Sequence, residues 1–311
     1  MTVKYLYCFA AVMAISATMS SCSKDEPIVY KPSTEVGKAL VENGYVAQVI
    51  RDTCFFIADG VSETDLQVQM MDGYIEQLFI IKADTKVPGV KLRVGMPYDN
   101  NDHSGGWRRQ IPSEMVQYLD KPGERVAALI NGDFFDVSNF MPRGPIHRKG
   151  ITVNSEFHYS ENVPQQALAF VGITDDGKMT IQERDKYPQY KSMLVECTGA
   201  GFIFLKDGVI VDTPWKARDP RTGIGYTDDG IIYTLTADGR KVFAGAGLTY
   251  FHMANIFRGL GCSNAVNLDG GGSSQLLVRH PVARVYQIRN SPADGKERAI
   301  GNTWTVVVDE P

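Results

Sequence analysis

The 311-residue sequence lacks the residue patterns of most metal and thiol enzymes. It has five histidines, and none stands in an HxH or HExxH spacing, which argues against a zinc site built from histidines. Its five cysteines include no CxxC pair. Cys54, Cys197 and Cys262 are predicted to be small buried residues rather than parts of a disulfide framework. No cofactor is expected, although a calcium or magnesium site built from Asp oxygens stays open.

The chain also lacks a basic block and the nucleophile motif of serine hydrolases. Its net charge is −4 at pH 7, and no cluster of Lys and Arg stands out, which argues against nucleic acid as a partner. It contains no G-x-S-x-G sequence, so a serine hydrolase of the α/β type is not expected. A composition that is 43% hydrophobic and 22% charged is ordinary for a globular protein.

Residues 1–22 resemble a bacterial lipoprotein signal peptide. Lys4 precedes an apolar stretch that ends near Met19 and is too short to span a bilayer comfortably. The resemblance implies that Cys22 is lipidated and begins the mature chain. The charged segment Ser23-Lys24-Asp25-Glu26 that follows resembles the tether of surface lipoproteins. The resemblance therefore implies an exported protein that is lipid-anchored to the outer membrane, at the cell surface, and meets the membrane only through this anchor. The alternative is an ordinary secretory signal that is cleaved nearby and leaves Cys22 as a free thiol.

Strand-like patterns dominate the chain after a tether and short helix over residues 23–44. Leu66, Val68 and Met70 alternate with polar residues, and Asp72-Gly73 is a hairpin signal. Helical periodicity is confined to short segments, with Ser113 and Thr249 as predicted N-caps. Because strands and helices do not alternate regularly, we predict an α+β fold. It would be one strand-rich domain over residues 45–311, with a mixed or antiparallel sheet core and two or three helices.

The segment VNLDGGGSSQLLV, residues 266–278, is the most distinctive stretch. Three consecutive glycines follow Asp269, and such a run indicates a positive φ or a close approach to the backbone. Successive N–H groups in such a loop can form an anion-binding concavity, to which Ser273 and Ser274 add donors. The alternative is a plain hairpin turn, in which Asp269 only caps the turn.

Two other segments place polar groups at the ends of predicted strands. Asn131 ends a buried strand, where an amide is costly unless it forms hydrogen bonds. Phe134 and Phe135 follow it and favour core packing, although one ring could stack on a sugar face. Arg221 lies in a turn that can fix its guanidinium for phosphate or carboxylate binding. A salt bridge from Arg221 to Asp219 or Asp269 is the alternative.

A fourth segment, Arg143 to Lys149, carries four potential cations in seven residues. It is expected to be a solvated loop.

Taken in order, these motifs resemble the phosphodiester glycosidase family. The matching pieces are LINGDFF (129–135), PRTGIG (220–225), the segment 247–274 that ends in DGGGSS, and ERAIGNTWTVV with Arg298 and Asn302. The resemblance extends over residues 58–308. Family members often have glycine or another small residue where this chain has Asp133, so a catalytic role is not carried over to Asp133.

The resemblance implies a hydrolase that cleaves the glycosidic bond of sugar-1-phosphodiesters. The substrate would be a phosphoglycan or sugar phosphodiester of the N-acetylglucosamine-1-phospho-sugar type, and Asp269 and Arg221 would be catalytic. The implied substrate-binding residues are Asn131, Gly132, Asp133, Phe135, Thr222, Gly270, Gly271, Gly272, Ser273, Ser274, Arg298 and Asn302. Two alternatives are a non-catalytic surface lipoprotein that binds glycans or phosphoglycans and a metal-dependent phosphodiesterase that breaks the P–O bond.

Overall fold

The structure is a computed structural model that describes residues 30–241 and 245–310. The signal peptide and the lipidation site predicted at Cys22 lie outside the described residues. Residues 32–311 form one compact unit. Its helices are α1 (Glu35–Asn43), α2 (Pro112–Leu119), α3 (Tyr187–Tyr190) and α4 (Tyr250–Gly259). None of the helices in the described ranges is long and apolar enough to cross a membrane.

Strands make up most of the regular structure. In chain order they are β1 (Val46–Ala58), β2 (Val61–Met70), β3 (Ile75–Asp84), β4 (Lys91–Gly95), β5 (Arg125–Asn131), β6 (Ile146–Arg148), β7 (Ile151–Asn154), β8 (Ala169–Thr174), β9 (Met179–Glu183), β10 (Leu194–Ala200), β11 (Ile203–Lys206), β12 (Val209–Ile210), β13 (Arg221–Tyr226), β14 (Ile231–Ala237), β15 (Asn264–Asn267), β16 (Leu276–Arg279), β17 (Tyr286–Ile288) and β18 (Thr303–Val308).

These strands form three antiparallel sheets. Sheet 1 has the order β1-β2-β3-β14-β13-β15-β11-β12, sheet 2 has β7-β6-β10-β8-β9, and sheet 3 has β17-β16-β5-β18-β4. Every strand pair in them is antiparallel. The α+β fold predicted from the alternating patterns is therefore confirmed, and its sheet core is antiparallel rather than mixed.

Sheet 1 is covered on both faces. Ile81 of β3 belongs to the main core, which also includes Val171 of sheet 2 and Trp304 of sheet 3. The preceding residue, Ile80, points to the opposite face and packs in a second core that contains Leu40 of α1 and Phe257 of α4. Burying each large apolar side chain contributes roughly 1.5–3 kcal/mol, so the two cores together fix the register of the central strands.

Two predicted helix starts have different outcomes. Thr249 caps α4 as predicted, and its hydroxyl accepts a hydrogen bond from the His252 backbone N–H. Ser113 does not cap α2, because that helix begins one residue earlier, at Pro112. Proline suits the first helical position since its missing N–H would have no partner there. The Ser113 hydroxyl donates instead to the Glu297 carboxylate, at 2.6 Å.

Two further predictions about burial are wrong. Cys54 is exposed, while Cys197 and Cys262 are buried as expected, because Cys54 lies on β1 at the open edge of sheet 1. The cations of residues 143–149 do not form a solvated loop, since His147 and Arg148 lie buried in β6. Arg148 is satisfied inside the protein, where its Nε donates to the Val94 carbonyl at 2.8 Å.

Candidate active site

The ends of several strands meet along one seam between sheets 1 and 3. In sheet 1, the start of β13 lies beside the ends of β14 and β15, because both of these strands run antiparallel to β13. In sheet 3, the end of β5 lies beside the starts of β16 and β18 for the same reason. The residues that follow or precede these strand ends include the motifs around Asn131, Arg221 and Asp269, whereas residues 143–149 lie around β6, in sheet 2.

Asn131 joins the two sheets at the centre of the seam. Its amide nitrogen donates to the Asp269 carbonyl at 2.7 Å, while its oxygen accepts from the Thr222 hydroxyl at 2.8 Å and the Gln275 N–H at 3.1 Å. The Asp269 N–H in turn donates to the Gly132 carbonyl at 3.0 Å. Asn131 and Thr222 are both buried. They position the loop that carries Asp269. Because the two side chains bond to each other, few of their hydrogen-bonding atoms remain available to a ligand.

Asp269 has a partly buried carboxyl group in this seam. Its Oδ1 accepts a hydrogen bond from the Gly270 N–H at 2.9 Å. Burial raises the pKa of Asp269 to about 6, although the Ser273 hydroxyl, the Gly270 N–H and the charge of Arg298 favour its ionised form. The Ser273 hydroxyl is close enough to act on this carboxylate but has no hydrogen bond of ordinary geometry to it. A carboxyl group with a pKa near neutrality is suited to acid–base or nucleophilic work.

The three glycines make room for arginine side chains of the protein itself. Gly271 has a φ of 60°, and a Cβ on it would lie 2.9 Å from the Arg240 guanidinium. A Cβ on Gly272 would lie 2.1 Å from the Arg298 guanidinium. The close approach and the positive φ predicted for this loop are thus both present. Two of the glycine amides are not available for the predicted anion-binding concavity, however. The Gly270 N–H already donates to the Asp269 carboxylate, and the Gly271 N–H donates to the Pro220 carbonyl.

Arg221 lies beside this loop without an acidic partner in the described part of the chain. Its Nε donates to the Leu248 carbonyl at 3.1 Å and its Nη2 to the Ala217 carbonyl at 3.0 Å. Its guanidinium carbon lies 4.5 Å from the centre of the Tyr250 ring. The salt bridge to Asp219 that was an alternative for Arg221 is formed by Arg240 instead, at 2.8 Å. Arg221 is therefore a fixed positive charge, available to an anionic ligand.

A buried ion pair holds the two loops that position Arg221. Glu76 of β3 is fully buried and pairs with Arg218 at 2.7 Å. The same carboxylate accepts from the Gly247 N–H at 2.9 Å, and Arg218 donates to the Gly247 carbonyl at 2.7 Å. Gly247 directly precedes Leu248, whose carbonyl receives the Arg221 Nε. Glu76 of sheet 1 thus holds the loop whose Leu248 carbonyl fixes the position of the Arg221 guanidinium.

Asp133 and Asn302 form the sheet 3 side of the seam. The Asp133 N–H donates to the Asn302 side-chain oxygen at 2.8 Å, and Asp133 Oδ2 accepts from the Gly144 N–H at 2.7 Å. Burial raises the pKa of Asp133 to about 8, and the negative charge of Asp269 adds to this rise. Asp133 is therefore largely neutral at pH 7. The nearby Phe135 packs with Met115 and Ile300, which places its ring in a small core rather than on a sugar site.

Buried polar atoms without a hydrogen-bond partner concentrate at this seam. Among the described residues they include Asp133 Oδ1, Asn302 Nδ2, both side-chain atoms of Asn267, and the hydroxyls of Ser273 and Ser274. An unpartnered buried polar group costs roughly 1–3 kcal/mol, so such a concentration is typical of a site that binds a polar ligand. Among residues 30–241 and 245–310, no three His, Cys, Asp or Glu side chains are grouped to hold a metal ion.

Comparison with known proteins agrees with this arrangement. A model of the family described as phosphodiester glycosidase matches residues 124–307, which is more than half of the chain and includes every residue predicted to be catalytic or substrate-binding. The chain belongs to the phosphodiester glycosidase family. Family membership was implied by the sequence motifs and is confirmed.

Related proteins share the fold or a short part of the sequence with this chain. The catalytic domain of zebrafish N-acetylglucosamine-1-phosphodiester alpha-N-acetylglucosaminidase, auto-inhibited by its pro-peptide, has a TM-score of 0.59 at 16% identity and covers 82% of each chain. A hypothetical protein from Synechocystis has a TM-score of 0.58 at 16% identity, over 83% of this chain and 64% of that one. The SPbeta prophage-derived uncharacterized protein YomE of Bacillus subtilis is 38% identical over 97 residues, which is 30% of this chain and 14% of that relative.

The sequence did not identify three contributors to the candidate site. Arg240 and Asp294 are absent from the predicted set, although Arg240 pairs with Asp219 and Asp294 pairs with Arg298, at 2.7 Å. Asn267 is also absent from the predicted set, although neither polar atom of its side chain has a hydrogen-bond partner among the described residues. The sequence position of Arg240 could have indicated its place in the site. Arg240 follows β14, and the end of a strand that pairs antiparallel with β13 must lie near Arg221, where β13 begins.

The buried carboxyl of Asp133 is expected to make stability depend on pH. Its folded-state pKa of about 8 exceeds its ordinary value of 3.8, so folding favours the protonated form. The contribution of Asp133 to the free energy of unfolding is therefore largest below pH ~4, and it is lost as the pH rises through about 8. Asp133→Asn keeps the oxygen that accepts from Gly144 and removes the titration. Urea unfolding at pH 5 and pH 8 should show that the variant loses at least about 1 kcal/mol less over this range than the wild-type protein.

Asp136→Asn is the matched control for this experiment. The Ser138 hydroxyl lowers the pKa of Asp136, so its titration contributes only in more acidic solution. If Asp133→Asn and Asp136→Asn give the same pH dependence as the wild-type protein, Asp133 is ionised when folded.

Proposed function

We propose that the protein hydrolyses the glycosidic bond of sugar-1-phosphodiesters of the N-acetylglucosamine-1-phospho-sugar type. The products are the free sugar and a phosphomonoester. The observation that supports this most directly is the presence of Arg221 and Asp269 at one strand junction. Arg221 is a fixed guanidinium without an acidic partner among the described residues, and Asp269 is a carboxyl group of pKa about 6. The first binds the phosphodiester and the second acts at the anomeric carbon.

The leaving group explains why this set of residues is sufficient. A phosphomonoester is a stable anion, so it departs with less help from a general acid than an ordinary sugar alkoxide requires. Arg221 stabilises the charge that builds up on the phosphate as the bond between the anomeric carbon and the bridging oxygen breaks. The bridging oxygen stays with the phosphate, and the oxygen of water becomes the anomeric hydroxyl of the sugar.

Asp269 can serve this reaction in two ways, which differ in stereochemistry. As a nucleophile it forms a glycosyl ester that water then hydrolyses, with retention of configuration. As a general base it takes a proton from the attacking water, with inversion. The unpartnered amide and hydroxyl groups of Asn267, Ser274 and Asn302 would orient the sugar hydroxyls in either case.

The reaction is tested by following an N-acetylglucosamine-1-phospho-mannoside in isotopically labelled water. We expect free N-acetylglucosamine with the label on its anomeric oxygen, and nuclear magnetic resonance of the first-formed anomer separates retention from inversion. Label in the phosphate, with activity that EDTA abolishes, would instead identify a metal-dependent phosphodiesterase. Binding of the diester without any turnover would identify a non-catalytic phosphoglycan-binding protein.

A further inference from the structure

A second guanidinium is exposed beside the site, at Arg109 in the loop before α2. Its guanidinium carbon lies 3.9 Å from the centre of the Phe140 ring and 5.6 Å from that of Phe135. Arg109 is partly exposed, and it forms no ion pair or side-chain hydrogen bond with the residues that the structure describes. Contact with two rings orients a guanidinium while leaving its N–H groups free to donate.

Most other arginines of this region are neutralised by an acid. Arg240 pairs with Asp219, Arg298 pairs with Asp294, and Arg143 pairs with Asp136. Arg109 differs from them and resembles Arg221, since each contacts an aromatic ring and forms no ion pair with the residues that the structure describes. An oriented charge of this kind is suited to an anion that comes from outside the protein.

The backbone fixes Arg109 next to residues of the catalytic seam. Gln110 and Ile300 exchange two backbone hydrogen bonds, of 3.1 and 3.0 Å, so Arg109 lies beside the segment that joins Arg298 to Asn302. A Cβ on Gly301 would lie 3.8 Å from both the Phe135 Cβ and the Phe140 carbonyl oxygen. Phe135 packs with Ile300 of this segment, and the backbone of Phe140 lies beside Gly301, so the two residues whose rings contact Arg109 adjoin the segment that leads into β18.

We propose that Arg109 forms a second anion subsite, which binds a negatively charged group of the substrate other than the scissile phosphodiester. This inference rests on the proposed function and specifies its substrate class. The preferred substrates carry a carboxylate or a further phosphate close to the sugar-1-phosphodiester, as acidic phosphoglycans do. Arg221 holds the scissile phosphate, and Arg109 holds the additional anion at the edge of the site.

Binding of phosphonate analogues tests the subsite without any need for turnover. In these compounds a methylene group replaces the bridging anomeric oxygen, so they cannot be hydrolysed. Three analogues are compared by calorimetry: one with no charge besides the phosphonate, one with an added carboxylate and one with an added phosphate. The wild-type protein should bind one or both of the doubly charged analogues roughly tenfold more tightly, and the arm that shows this identifies the anion.

Arg109→Ala should abolish this preference, whereas Arg108→Ala should keep it. Arg108 is the matched control because it is exposed, adjacent in sequence, and stacked on a different ring, that of Tyr98 at 5.8 Å. Arg109→Lys keeps the charge and should retain part of the preference even if Arg109→Ala is less stable. The preference should also shrink as salt is added.

An unchanged preference in Arg109→Ala, or no preference in the wild-type protein, would overturn the subsite. A different result would contradict the proposed function, namely that the protein does not hydrolyse the oxygen-bridged diester. The two failures are distinguishable because the phosphonates report only binding.

Discussion

Asp269→Asn is expected to remove most of the hydrolytic activity while leaving the fold intact. Asparagine has nearly the same shape, and its side-chain oxygen can still accept from the Gly270 N–H, which lies 2.9 Å from Oδ1. The backbone bonds of Asp269 to Gly132 and Asn131 do not involve the carboxylate at all. What is lost is a group that can attack carbon or take a proton. We expect kcat to fall roughly a hundredfold to ten-thousandfold, measured as release of free sugar.

The pH dependence of the reaction tests the same residue independently. Burial raises the pKa of Asp269 to about 6, and both proposed roles need the ionised form. The rate should therefore rise with pH through about 6 and level off above it. The residual activity of Asp269→Asn should lack this rise.

Asp228→Asn provides the matched control, because Asp228 is exposed in the turn at the opposite end of β13. Asp228→Asn should keep both the wild-type rate and its pH profile. A folded Asp269→Asn protein with wild-type turnover would show that Asp269 only caps the glycine loop.

The alternation of apolar and polar residues predicted the strands well, because it follows directly from the burial of one face of each strand. The alternation of Leu66, Val68 and Met70 corresponds to the buried positions of β2, and the hairpin at Asp72-Gly73 joins β2 to β3. These features need only the immediate neighbours in sequence. The exposure of Cys54 could not be predicted in this way, since it depends on β1 being an edge strand.

The site shows the same division between local and distant determinants. The sequence indicated that something must approach Gly270, Gly271 and Gly272, because the residue type alone carries that information. It could not show that the approaching groups are Arg240, which follows β14, and Arg298, which lies in the segment before β18. The pairing of Arg240 with Asp219 likewise depends on the antiparallel pairing of β13 and β14, whereas Asp294 lies only four residues from Arg298. Asp219 was considered as a partner for Arg221, yet it neutralises Arg240 and leaves Arg221 free for a ligand.

Arg221→Ala should produce the second large loss of activity. Arg221 is held by the Leu248 and Ala217 carbonyls and lies over the Tyr250 ring, so its charge is oriented before any ligand arrives. Such preorganised charge stabilises a transition state because no reorganisation is needed when the phosphate departs. We expect a loss of roughly 10²–10³-fold in kcat/KM for the diester. The measurement is again the release of free sugar, with thermal unfolding followed in parallel.

Two further variants separate charge from support of the loop. Arg221→Lys keeps a cation but cannot donate in the same planar fork, so its activity should lie between those of Arg221→Ala and the wild-type protein. Tyr250→Phe is the matched control, since it removes only the 3.4 Å contact between the hydroxyl and Nη1 and keeps the ring beneath the guanidinium. Added guanidinium ions should restore part of the activity of Arg221→Ala. If Tyr250→Phe lost as much activity as Arg221→Ala, or if guanidinium ions restored none, the role of Arg221 would be to support the Leu248 loop rather than to bind phosphate.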